Sequence, residues 1–227
     1  MMATKGHPGP LALVGGAEWG DQCHFDAGLL EASGSAEVLV LPTGAAYEHP
    51  DRAVATARRH FEALGGSVRG LMVLGRVDAE DSANADAVRQ ARFIYLSGGS
   101  PLHARSVLKD SKVWQALEEA WHDGAVVAGS SAGAMVLCDP MIDPRGGALT
   151  LGLGLVEQVA VLPHANTWSP EKAHRTFSLA TGGLRIAAID EETALIRDPG
   201  GTWRMEGIGA VRVFVDGQAA PLEALTN

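Results

Sequence analysis

The sequence predicts an α/β fold built on a mostly parallel sheet with helices on both faces. Short runs that are apolar throughout recur from residue 11 to residue 130, each closing on a glycine turn or a helix-like stretch. Strands buried on both faces read this way, because parallel strands need crossover helices that cover the sheet. Between the runs lie segments whose apolar residues repeat at helical spacing. The C-terminal third differs, with short strand-like runs, turns and little helix.

The expected strands are "LALVGG" (11–16), "EVLVLPTG" (37–44), "RGLMVLG" (69–75), "FIYLSGG" (93–99) and "AVVAGS" (125–130). Helices are expected over 50–64, 82–91 and 111–123. In the last of these, Val113, Leu117, Ala120 and Trp121 share one face, with charge opposite. "RIAAIDEETALIRDP", "GTWRMEGIGAV" and "VRVFVDGQ" predict extra strands or hairpins. No Pro/Ser-rich linker sets them apart, so residues 1–227 read as one domain of ordinary size.

Composition narrows the function classes. The chain has 227 residues, 46% hydrophobic and 20% charged, as expected of a soluble globular protein with a sizeable core. A net charge of −9 without a basic cluster argues against nucleic acid and anionic membrane surfaces as partners. Two cysteines make no disulfide framework and read as free thiols in a reducing compartment. "MMATKGHPGP" has no apolar leader core, and no run approaches the ~20 apolar residues of a membrane span. The expected location is the cytoplasm.

The stretch "VVAGSSAGAMVL" (126–137) carries the chemistry. A nucleophilic serine needs its hydroxyl exposed beside a base, and a sharp strand-to-helix turn provides that exposure. Flanking positions two before and two after must be small, because the turn is tight. Ser131 has Gly129 and Gly133 there, whereas Ser130 has Ala128 and Ala132. Ser131 is therefore the candidate nucleophile, and the N–H of Ala132 the candidate oxyanion donor beside it. A second donor is expected from "YLSGGSPLHA", where Gly98 and Gly99 let backbone approach a ligand closely.

Among eight histidines, His164 stands out as the base. "QVAVLPHAN" places it just past an apolar strand, after a proline that sets the turn. His174, in a charged helix-like stretch, is its competitor, and His24 follows the first loop. His49, His60, His103 and His122 fall on helices or their starts, and His7 in the N-terminal segment. The acid that orients the imidazole should also come from a strand end, and "RIAAIDEETALI" offers both Asp190 and Glu191.

With these residues in place, the chain resembles the peptidase E (aspartyl dipeptidase) and cyanophycinase family of serine peptidases. "GSSAGA" resembles the nucleophile motif G-x-S-A-G-A, "LSGGSPLH" the Gly-Gly oxyanion loop, "LPHANTW" the Pro-His segment and "IDEETAL" the segment of the catalytic Glu. "LVGGAE" and "VDAEDSANADAVRQARFIYLSGG" follow the family's layout as well. The resemblance implies a three-layer fold related to class I glutamine amidotransferases. It also implies a peptidase without metal or cofactor, in the order Ser131, His164, Glu191, with Gly99 and Ala132 as oxyanion donors. Small peptides are the implied substrates, above all dipeptides with N-terminal Asp, and a homodimer is the implied assembly.

Two departures bear on substrate. Ser100 stands where the family often has Asn or Gln to hold substrate, and only Lys172 and Arg175 follow the His where cyanophycinases carry a Gln and Arg cluster. Arg175 is the candidate partner for an acidic side chain. The alternatives are a cyanophycinase-like hydrolase of β-aspartyl-arginine peptides, and a silent amidotransferase-like binding domain with Ser131 in the nucleophile position.

Overall fold

A computed structural model of the chain describes residues 7–168 and 170–226, with residues 170–173 as backbone. The first half runs β1 (Leu11–Val14), α1 (Phe25–Ser33), β2 (Glu37–Leu41), α2 (Pro50–Ala63), β3 (Ser67–Gly70), α3 (Arg76–Ala79) and α4 (Ser82–Gln90). It continues through β4 (Phe93–Leu96), α5 (Pro101–Leu108), α6 (Lys112–His122), β5 (Val126–Ser130) and α7 (Ala132–Leu137). Four two-residue strands follow: β6 (Cys138–Asp139), β7 (Met141–Ile142), β8 (Leu149–Thr150) and β9 (Val156–Glu157). The chain ends through β10 (Val159–Leu162), α8 (Pro170–Leu179), β11 (Arg185–Ile189), β12 (Thr193–Arg197), β13 (Trp203–Gly207), β14 (Val211–Val215) and β15 (Gln218–Ala220).

Seven strands form the central sheet in the order β13-β12-β1-β5-β4-β2-β3. The five from β1 to β3 are mutually parallel, and β12 and β13 extend the sheet antiparallel beside β1. Alternate residues of one strand enter different cores, as the two-residue strand period requires. Leu11, Leu13, Ile94 and Val127 pack on one face, and Ala12, Val14, Tyr95 and Val126 on the other. The predicted face of α6 is buried in the first core through Val113, Leu117, Ala120 and Trp121. α2 closes the second core with Val54, Ala57 and Phe61. This is the predicted fold class, and the strand-rich C-terminal third is accounted for by β12, β13 and a separate sheet.

That second sheet has the order β10-β11-β14-β15. Its position matters because β10 delivers the segment that contains His164. One expected strand lies elsewhere: the run at 69–75 pairs only to Gly70, and Ser67 begins the ladder. Its partner β2 ends at Leu41, where Pro42 and the 3₁₀ turn Thr43–Ala45 leave no extended edge to pair with. Among the described residues no helix is long and apolar enough to cross a membrane.

The glycines of the serine turn have a packing reason. A Cβ at Gly129 would lie 2.6 Å from the carbonyl carbon and oxygen of Gly133, so β5 and α7 touch backbone to backbone. A Cβ at Gly133 would in turn press on the carbonyl oxygen of Ser97 at 3.0 Å. Gly129→Ala forces these elements apart and should cost about 1–3 kcal/mol, as overpacking does. Urea unfolding should show the lowered midpoint with an unchanged slope; a midpoint equal to wild type would contradict the contact.

Candidate active site

The carboxyl ends of β1, β2, β4 and β5 open into one crevice. β3 lies on one side of β2 and β4 on the other, and crevices of parallel sheets form where the strand order reverses in this way. The loops after these strands therefore converge, and small residues let them approach.

Ser131 sits at the end of β5 with φ 49° and ψ −110°, a strained backbone for a residue with a Cβ. Its N–H donates to the Val14 carbonyl at 2.9 Å. Its hydroxyl donates to His164 Nε2 at 2.9 Å. His164, also at positive φ (52°), follows β10 and Pro163, and its N–H donates to the Gly15 carbonyl at 2.7 Å. His164 Nδ1–H donates to Glu191 Oε1 at 2.7 Å, which leaves Nε2 as the acceptor for the serine. The Glu191 N–H is held by Asn166 Oδ1 at 3.1 Å. The imidazole and the Glu191 carboxylate are 34% and 35% exposed, so the chain of contacts is reachable from solvent.

Gly16 makes room for the ring. Its φ is +130°, and a Cβ there would lie 2.6 Å from His164 Nδ1 and 2.8 Å from Nε2. The imidazole thus rests directly on the backbone of the loop after β1.

The other side of Ser131 is the Ser97–Ser100 loop. The Gly98 N–H donates to Glu18 Oε1 at 2.8 Å, and the fully buried Ser130 hydroxyl donates to Glu18 Oε2 at 2.8 Å. Gly99 has φ +120°, and a Cβ would come 2.7 Å from the Ala45 nitrogen. Among the described residues the N–H groups of Gly99 and Ala132 have no acceptor. A cavity of about 270 Å³ lies against Ser131 and His164, walled by Ser97, Gly98 and Gly99, with Glu18 and Glu48 among its lining residues. Among the described residues its lining holds no lysine or arginine.

The remaining sequence candidates fall elsewhere. Asp190 is buried and accepts the Ala210 N–H at 3.0 Å and the Arg212 guanidinium, so of the two carboxylates only Glu191 meets the imidazole. His174 is exposed on α8, where its carbonyl accepts the Ser178 hydroxyl at 2.8 Å. Ser100 caps α5, its Oγ accepting the His103 N–H at 3.3 Å, and it does not line the cavity. Arg175 is exposed beside Gly146, also off the cavity wall, and the side chain of Lys172 lies outside the described residues. Both cysteines are buried: burial pushes the Cys23 thiol up to about 12 and raises that of Cys138 as well. Gly16, Glu18 and Asn166 are not singled out by the sequence reading, although "LVGGAE" contains the first two, and Ser130 enters it only as the alternative to Ser131.

A parallel sheet with a strained serine, an imidazole and a carboxylate in contact at its carboxyl end has the form of a serine hydrolase. The profile of Peptidase family S51 matches residues 11–202, and the chain belongs to that family, which includes peptidase E and cyanophycinase members. It is a serine-type peptidase. The cyanophycinase of Synechococcus elongatus is 27% identical over 229 residues, covering 92% of this chain and 69% of the relative. That of Geminocystis herdmanii is 26% identical over 230 residues, covering 92% and 81%. The crystal structure of a peptidase from an acI-B1 Actinobacterium superposes with a TM-score of 0.82 at 32% identity, covering 93% of this chain and 92% of that one. A putative peptidase E protein from Listeria monocytogenes EGD-e shares the fold, with a TM-score of 0.68 at 20% identity over 89% of this chain and all of that one.

Proposed function

We propose that the protein hydrolyses small peptides by acyl transfer through Ser131, His164 and Glu191. The observation that carries this reading is the continuous pair of hydrogen bonds, 2.9 Å from serine to imidazole and 2.7 Å from imidazole to carboxylate. Ser131 Oγ attacks the scissile carbonyl carbon as its proton passes to His164 Nε2. Glu191 holds the ring in the required tautomer and stabilises the imidazolium that forms. The carbonyl oxygen becomes an oxyanion, received by the free N–H groups of Gly99 and Ala132. Collapse breaks the C–N bond, and His164 gives its proton to the departing amine. Water, deprotonated by the same imidazole, then attacks the acyl-serine and releases the free acid. A silent binding domain has no use for an imidazole locked between serine and carboxylate, so the contacts favour catalysis.

For the nucleophile and base, Ser131→Ala and His164→Ala should each lower turnover ~10⁴-fold or more. Ser130→Ala should lose less than about tenfold, because its hydroxyl faces Glu18 and not the imidazole. His174→Ala should sit near wild type, given its place on the outer face of α8. Steady-state kinetics on a dipeptide, with circular dichroism to confirm folding, decide this. Near wild-type turnover in Ser131→Ala, or the two histidine results reversed, would overturn the assignment.

The cavity also speaks to substrate. An acidic side chain needs a cation, since a desolvated carboxylate without a partner is costly. Two glutamates are among the described residues of the wall, and Arg175 is not. The geometry therefore favours neutral or basic peptides over those with N-terminal Asp. The same acidic lining favours a second reading, a guanidinium-bearing β-aspartyl-arginine substrate, for which the cyanophycinase relatives are the precedent. A kcat/KM panel should rank Ala-X and Leu-X dipeptides above Asp-X by at least about tenfold, the factor for roughly one unpaired charge. Fastest turnover of β-aspartyl-arginine supports the second reading. Asp-X as the best substrate would mean that a cation beyond the cavity lining reaches the bound peptide.

A further inference from the structure

We infer that Glu18 is a positioning residue: it locks the glycine loop so that the Gly99 N–H faces the reacting carbonyl, and it sequesters Ser130 so that Ser131 alone meets the imidazole. This rests on the reading of Ser131 as nucleophile and adds a residue to it.

Glu18 is the only side chain that ties together the ends of three sheet strands at the cavity among the described residues. It follows β1, accepts the Gly98 N–H from the loop after β4, and accepts the Ser130 hydroxyl at the end of β5, each at 2.8 Å. Its loop is held in shape to do so, because the residues on both sides, Ala17 (φ 51°) and Trp19 (φ 62°), are at strained positive φ. The contact with Gly98 is close enough that a Cβ there would lie 3.1 Å from Glu18 Oε1 and 3.5 Å from Ser131 Cβ. The Gly98 N–H is thereby committed, and the next amide, that of Gly99, is left without an acceptor. A glycine pair has wide backbone freedom. Fixing the amide before Gly98 narrows that freedom, and the Gly99 peptide unit is then bounded by two further bonds: the Gly98 carbonyl accepts the Ser97 hydroxyl at 3.2 Å, and the Ser100 N–H donates to the Gly44 carbonyl at 2.8 Å. Donors aimed at a developing oxyanion act by being fixed in advance. Ser130 is the second consequence. Its hydroxyl is fully buried and already donates to Glu18 Oε2.

The test uses the full chain, three substitutions at Glu18 and two readouts. Glu18→Gln keeps the length and can still accept the Gly98 N–H, whereas Glu18→Asp keeps the charge but is one methylene too short to reach both partners. Glu18→Ala removes the clamp. The expected kcat losses are ~10²–10³-fold for Ala and Asp, the size of losing one oxyanion donor, and less than about tenfold for Gln, with KM changed less than about threefold in all. A peptide boronic acid, whose oxygen occupies the oxyanion position when boron bonds Ser131, should lose affinity in parallel with kcat. A merely structural role would lower stability and leave the boronate affinity of the folded fraction unchanged. Asp near wild type with Gln inactive would overturn the clamp in favour of a purely electrostatic role, and Ala within threefold of wild type would overturn it outright. Ser131→Ala is assayed beside them. If it is inactive while Glu18→Ala is normal, only the clamp fails; if it is active, the nucleophile reading fails and the clamp with it. Should Ala not fold, the Gln-against-Asp order decides alone.

Discussion

The backbone at the end of β1 holds the whole candidate site. Three successive carbonyls there accept amides from three distant parts of the chain: Val14 from Ser131, Gly15 from His164, and Gly16 from Glu192, the neighbour of Glu191. These bonds run from β5, from the end of β10 in the second sheet, and from the turn before β12. Backbone hydrogen bonds are directional and costly to leave unmade when buried, so this short run fixes the relative placement of serine, imidazole and carboxylate more firmly than side-chain packing could. The strain at Ser131, His164 and Glu192, all at positive φ, is what such over-determined anchoring can sustain.

Small residues follow from that arrangement. Side chains at Gly16, Gly99, Gly129 or Gly133 would collide with the imidazole, the Gly44–Ala45 turn, α7 or the Leu96–Ser97 backbone respectively. The glycine-rich stretches are therefore places where backbone meets backbone or ring, and the adjacent serines of "GSSAGA" divide the work. Ser130 points into the fold toward Glu18, and Ser131 points out toward His164. β5 ends at Ser130 and the chain turns sharply at Ser131 (φ 49°, ψ −110°), so the first hydroxyl stays in the fold on Glu18 while the second is reachable.

Much of this was legible in the sequence where the cause is local. Apolar runs closed by glycine mark β1, β2, β4 and β5 because burial on both faces leaves no polar position. The spacing Gly129-x-Ser131-x-Gly133 singles out its serine because the turn's sterics act over five residues. Pro163 before His164 marks a turn at a strand end for the same reason. What the sequence withheld depends on distance. Asp190 and Glu191 are equivalent by spacing, and it is the Ala210 N–H and Arg212, on β14, that draw the first away. Glu18 lies 80 and 112 residues from its two partners. Arg175 is near His164 along the chain, yet α8 carries it to the Asp143–Gly147 loop. The shortened strand β3 likewise depends on where β2, its partner, stops.

The central claim is that the end of β1 brings Ser131, His164 and Glu191 together and so makes this one serine nucleophilic. Its most direct test is covalent labelling: the purified protein is treated with an alkyl fluorophosphonate, digested, and the modified residue located by mass spectrometry. The account predicts stoichiometric phosphonylation of Ser131, lost in His164→Ala and strongly slowed in Glu191→Gln. Label on Ser130 or another serine, or label on Ser131 at the same rate in His164→Ala, would contradict it.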